Sequence, residues 1–132
     1  MTISNLLKLS VAGLCVTMLG CERDVSFSDD IQPILEASCN QCHDQAAEGE
    51  AVSGLSLKTY DDLMQGTRYG KVVVPGSAMS SALYLTVAGK TAPEIRMPPH
   101  NDESLAQGKG VQLSANQIEL IERWIDAGAP NN

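Results

Sequence analysis

Cys39-Asn40-Gln41-Cys42-His43 is the stretch on which the reading of this chain turns. Two thiols stand two residues apart, and an imidazole follows the second directly. The spacing C-x-x-C-H is the attachment pattern of c-type haem. Two intervening residues bring both sulfurs to one side of a single turn, within reach of neighbouring vinyl groups. The adjacent His then places its ring under the iron. A pattern this short needs support from the rest of the chain.

The rest of the chain has 132 residues, which predicts one domain. Aromatic residues make up only 4% of it: Phe27, Tyr60, Tyr69, Tyr84 and Trp124. That set is thin for a core, and a buried haem would supply a large flat apolar body. The formal charge of −7 argues against a nucleic-acid partner. It suits an acidic surface that docks on a basic patch of another protein.

The N-terminus reads as a targeting segment. Lys8 precedes an apolar run, Leu9 to Leu19, that fits the core of a signal peptide and is too short to span a bilayer as a helix. Met18-Leu19-Gly20-Cys21 follows and resembles the lipobox of bacterial lipoproteins, with Met18 where Leu is usual. The expectation is a signal peptide over 1–20, lipidation of Cys21, a short polar tether over 21–28 and a domain over 29–132. Several acyl chains anchor a protein stably where one does not. Cysteine usage closes on this reading. Cys15 leaves with the signal, Cys21 takes lipid, and Cys39 and Cys42 take haem. The localisation implied is the cell envelope, facing the periplasm and anchored to the inner or the outer membrane.

Local signals predict mostly helices. Asp29 or Asp30 caps a first helix to about Ser38, with Pro33 in its first turn and Ile31, Ile34 and Leu35 on one face. Residues 44–53 read as a loop. Thr59 caps a short helix from about Tyr60 to Gln65, ended by Gly66. Val72-Val73-Val74-Pro75-Gly76 is extended and closes on a Pro-Gly turn. Ser77 or Ser80 then caps a helix through about Val87, with Met79 packed inside it. Residues 101–111 read as a polar surface loop. The last helix carries the strongest signals. Ser114 and Gln117 form a capping box, Leu113 and Ile118 can staple it, and Ile118, Ile121, Trp124 and Ile125 share a face ahead of Gly128. It should pack on the first helix. Trp124 reads equally as core or as a wall of the haem pocket.

Met97-Pro98-Pro99-His100 is the second informative stretch. The residue before a proline is pushed toward extended conformations, and the prolines fix φ beyond it. Such a loop can hold the Met97 thioether at the sixth position of a haem iron. His100 is the rival for that position. Met64 and Met79 read as helix residues. Arg96 is a candidate partner for a haem propionate.

Taken together, the segment from Phe27 to Leu35, the Cys39–His43 motif, Gly54-Leu55-Ser56-Leu57, Val74-Pro75-Gly76, Ser81 to Tyr84, Met97-Pro98-Pro99 and the run from Leu113 to Gly128 resemble a class I-like cytochrome c domain of the planctomycete type. The resemblance covers nearly all of residues 26–130. It implies an all-α fold around one covalent haem c, attached through Cys39 and Cys42, with His43 proximal and Met97 distal. Many class I cytochromes place a Pro after the haem motif whose carbonyl orients the proximal His. Here no Pro occurs between His43 and Pro75, which leaves the partner of the second ring nitrogen open.

The function expected is electron transfer by a monohaem carrier with redox protein partners, not an enzyme. With Met as a ligand, the potential lies above that of a bis-His centre. The alternative is a haem-based sensor or peroxidase-like enzyme whose distal ligand can be displaced. A zinc site lacks a convincing fourth ligand beyond His100, and a thioredoxin-like motif would require a βαβ pattern that is absent.

Overall fold

The computed structural model describes residues 23–99, 102, 106–108 and 111–132, and these are helical with no β-strand among them. A π-helical turn, Phe27–Ile31, runs into α1 (Gln32–Ser38), followed by α2 (Asn40–His43), α3 (Glu48–Ser53) and α4 (Tyr60–Gln65). A 3-10 turn at Ala78–Ser80 leads to α5 (Ala82–Val87). A second 3-10 turn, Pro93–Ile95, precedes the Met97 loop, and α6 (Ala115–Asp126) closes the fold. The all-α class is as the sequence implied.

The first helix begins earlier than expected. Ser26, rather than Asp29 or Asp30, is its cap, with the hydroxyl accepting from the Asp29 amide at 3.2 Å. Asp30 is engaged elsewhere: it accepts from the Ser26 amide at 2.9 Å and pairs with Arg23. Pro33 does fall in the first turn of α1, where its missing N–H costs little. Residues 23–28 are no free tether. Val25 and Phe27 are buried, and Asn132 ties this segment to the other end of the chain, accepting from the Phe27 amide at 2.8 Å and from the Ser28 amide at 3.0 Å. The packed body therefore starts before residue 29. The signal segment 1–20, Cys21, His100 and most of the 101–111 loop lie outside the described residues.

α4 and α6 are as their local signals required. Thr59 Oγ1 accepts from the Asp62 amide at 3.1 Å, with Asp61 and Asp62 at the positive end of the helix dipole. The Ser114–Gln117 capping box is formed in both directions. Ile121, Trp124 and Ile125 on α6 are fully buried. α6 packs against the Phe27–Ile31 turn, α5 and the Ala78–Ser80 turn. The expected packing on the first helix is thus made through the turn that opens it.

An aromatic trio fastens this arrangement. The Phe27 and Tyr60 rings meet edge to face at 5.1 Å, and Trp124 lies 5.6 Å from Phe27 and 6.4 Å from Tyr60. Both polar tips are satisfied: Trp124 Nε1 donates to the Pro130 carbonyl at 2.9 Å and the Tyr60 hydroxyl to the Ala129 carbonyl at 2.8 Å. Trp124 is therefore a core residue.

The Ser77–Val87 region departs from expectation. It is a 3-10 turn followed by a separate helix, because Ser81 breaks the run. Ser81 is fully buried, and its hydroxyl donates to the Ser77 carbonyl at 2.8 Å while accepting from the Val74 amide at 2.9 Å. That ties the extended 72–76 segment to the start of α5. Met79 sits on the 3-10 turn and is exposed rather than packed.

Candidate functional site

Cys39 ends α1 and opens α2. Its amide donates to the Leu35 carbonyl at 2.9 Å, and the Cys42 and His43 amides both donate to the Cys39 carbonyl at 3.0 Å. One helical turn thus carries both thiols and the imidazole. Both thiols are free and half-buried. Burial, with a smaller contribution from neighbouring Cys42, pushes the Cys39 thiol up to about 11. A thiol held protonated is poorly suited to thiolate exchange, which relies on a depressed pKa. Nor do three or more His, Cys, Asp or Glu side chains gather to hold a metal ion among the described residues.

His43 is held on several sides. Its Nδ1 lies 3.2 Å from the Leu55 carbonyl oxygen. A carbonyl can only accept, so Nδ1 carries a proton there, and Nε2 is the ring nitrogen left to face a metal. The His43 carbonyl in turn accepts from the Leu57 amide at 2.8 Å. The Gly54–Leu57 segment is therefore strapped along His43, with the Leu57 side chain buried in the core. This supplies the second-nitrogen partner that the missing proline left open. Sequence reasoning missed it because a backbone carbonyl has no side-chain signature. The nearest signal was the Gly54-Leu55-Ser56-Leu57 run itself.

The segment leading into that strap was expected to be a loop and is instead α3. Glu48 and Glu50 lie in its first turn, where the helix dipole favours negative charge. Gly54, at φ 75°, ends it in the left-handed conformation. α3 brings Gly49 against His43. A Cβ on Gly49 would stand 2.7 Å from the Cys42 carbonyl oxygen and 2.9 Å from His43 Cε1.

The Met97 loop is built differently. The Met97 amide donates to the Thr86 carbonyl on α5 at 3.3 Å, and Arg96 Nε donates to the Thr91 carbonyl at 3.2 Å. Arg96 is thus engaged with its own loop. The Met97 side chain is 36% exposed and so has not been absorbed into the core. Met64, by contrast, packs against the core cluster. Two buried polar atoms lack a hydrogen-bond partner among the described residues: Asn40 Oδ1, inside the cysteine motif, and Thr91 Oγ1, at the base of the Met97 loop.

The donor set fits a covalently held haem. Two unpaired thiols and an imidazole with Nε2 left over share one turn, and a free thioether waits on a separate loop. Unsatisfied polar atoms near both segments are what a polar cofactor edge would engage.

Comparisons with known proteins agree with this chemistry. Residues 39–101 match the family model described as planctomycete cytochrome C. The chain is also similar to the hydrazine synthase subunit alpha of Kuenenia stuttgartiensis, with 30% identity over 128 residues. That match takes in 82% of this chain but only 16% of the relative. No solved structure matches the chain.

Proposed function

From the match of residues 39–101 to the planctomycete cytochrome C model, we propose that the chain is a monohaem c-type cytochrome that passes electrons between proteins of the cell envelope. Cys39 and Cys42 form the two thioethers, His43 Nε2 is the proximal ligand and the Met97 thioether the distal one. When bound there, haem c supplies a one-electron ferric–ferrous couple. The protein's own part is to fix the imidazole, hold the thioether and exclude water from the iron.

The observation that carries this reading is the state of His43. Its Nδ1 is committed to the Leu55 carbonyl at 3.2 Å, which orients the ring and leaves Nε2 as the nitrogen that would face a metal. The exposed Met97 side chain on its tethered loop supports a second axial ligand of a different kind. Met ligation raises the potential relative to two His and leaves no open coordination site, which suits a carrier better than a peroxidase or gas sensor.

Cys21 would carry the lipid that keeps the domain at the membrane, and the acidic surface suits redox partners that present basic patches. The relative is a subunit of a synthase much longer than this chain. A small electron-carrying domain of this family serving a larger redox assembly is compatible with that likeness.

The test is spectroscopic. In the haem-loaded protein, Met97→Ala abolishes the ferric methionine-to-iron charge-transfer band and lowers the potential, whereas His100→Ala leaves both in place. The reverse outcome would assign the distal position to His100. Fatty-acid labelling that is lost in Cys21→Ala tests the anchor separately.

A further inference from the structure

We infer that Gly49 and Ser53, both on α3, are positioning residues that set the orientation and hydrogen bond of the His43 imidazole. The inference rests on the reading of His43 as the proximal ligand. Neither residue touches the iron in that reading; both act through the ring.

Gly49 lies where a side chain cannot fit. A Cβ there would meet the Cys42 carbonyl oxygen at 2.7 Å, His43 Cε1 at 2.9 Å and His43 Nδ1 at 3.1 Å. The first obstacle is backbone of the cysteine motif, and the other two belong to a ring already tied to Leu55. None is the free end of a flexible chain. Glycine is also the poorer choice for a helix interior, since alanine is the better helix former. Local propensity alone would place alanine here; the approach of the imidazole forbids it.

Ser53 joins the two walls around the ring. Its hydroxyl donates to the Gly49 carbonyl at 2.6 Å and accepts from the Leu55 amide at 3.1 Å. Gly49 borders the ring, and Leu55 supplies the carbonyl that receives the Nδ1 proton. The Ser53 hydroxyl is thus a bridge from one to the other across the left-handed turn at Gly54. Helix α3 and the strap that follows form one clip. A His ligand whose Nδ1–H is firmly donated is more basic and stabilises the ferric state. Loosening the clip therefore favours ferrous iron.

The test compares Gly49→Ala, Ser53→Ala and the control Val52→Ala, an exposed position on the same helix. Two readouts are taken: the midpoint potential of the haem-loaded protein and the nitrogen NMR signature of the His43 tautomer in haem-free protein. Gly49→Ala should shift the ferrous-to-ferric ratio upward by about tenfold, or about 59 mV for one electron. It should also weaken the Nδ1–H signature without haem. Ser53→Ala should move both in the same direction by less, and Val52→Ala should move neither. Wild-type values of both readouts in Gly49→Ala and Ser53→Ala would overturn the inference, as would an equal shift in Val52→Ala. Should Gly49→Ala fail to fold, Ser53→Ala decides alone, because it removes only a hydroxyl. If the wild type takes no haem, the ligand reading fails, and the haem-free readout still tests the clip.

Discussion

The two segments proposed to face the iron are built on opposite plans. His43 is enclosed by residues close to it in sequence. Leu55 holds its ring nitrogen, Leu57 its carbonyl, and Gly49 lies against the ring. Met97 is reached only after a long excursion of chain. Its amide donates a hydrogen bond to the Thr86 carbonyl on α5, and its side chain is partly exposed. The difference teaches a division of labour. The proximal side is preorganised by several contacts made around the ring itself, while the distal segment is held through its backbone and leaves its thioether partly exposed. The proximal ligand should be in place whenever the local fold forms. The distal ligand should be the one that yields.

The sharpest way to break this comparison is to remove each ligand in turn. His43→Ala should have the largest effect, with loss of the low-spin haem spectrum altogether, read by absorbance of the purified protein. Met97→Ala should leave the haem attached and open one coordination position, seen as rapid carbon monoxide binding to the reduced protein. Equal damage from both substitutions would mean that the two sides are not built differently.

Trp124→Ala strikes the scaffold beneath both sides. Truncating a fully buried Trp costs about 3–5 kcal/mol, read from urea unfolding. Any surviving folded fraction should keep its ligand-specific spectra, because no member of the aromatic trio is proposed as an iron ligand.

The smallest expected effect is electrostatic and belongs to neither side. The hydrogen bond and charge of Arg23, with the Ser26 amide, hold the Asp30 carboxyl below its ordinary value of 3.8. A carboxylate whose folded pKa is depressed contributes stability that is fully present above 3.8 and is lost as pH falls through the depressed value. Asp30→Asn should flatten that part of the acid unfolding curve and lower stability near neutral pH by the same small amount, since Arg23 is exposed. A pronounced change at neutral pH would show that the pair anchors the N-terminal turn more firmly than an exposed partner allows.

The same contrast explains which features the sequence made legible. α4 and α6 announce themselves because their caps and apolar spacing are local: Thr59 with Asp62, and Ser114 with Gln117. The Cys39–His43 turn is local in the same sense. The features that escaped depend on groups brought together by folding. Leu55 acts through a carbonyl common to every residue. Gly49 acts through the absence of a side chain, and in a polar stretch it read as loop chemistry. Ser26 displaced Asp29 and Asp30 as cap because Asp30 was drawn to Arg23. Ser81 and Met79 were misread together, since a buried hydroxyl that splits a helix leaves the preceding methionine outside the core. The early burial of Val25 and Phe27 followed from Asn132, a hundred residues away in sequence.

The central claim is that Cys39, Cys42 and His43 form a haem attachment site. Its most direct test is the intact mass of the protein expressed with a c-type maturation system, measured alongside Cys39→Ser/Cys42→Ser. The account predicts that the wild type gains the mass of one haem that survives denaturation and that the double variant does not. A wild-type mass equal to that of the bare polypeptide would contradict it.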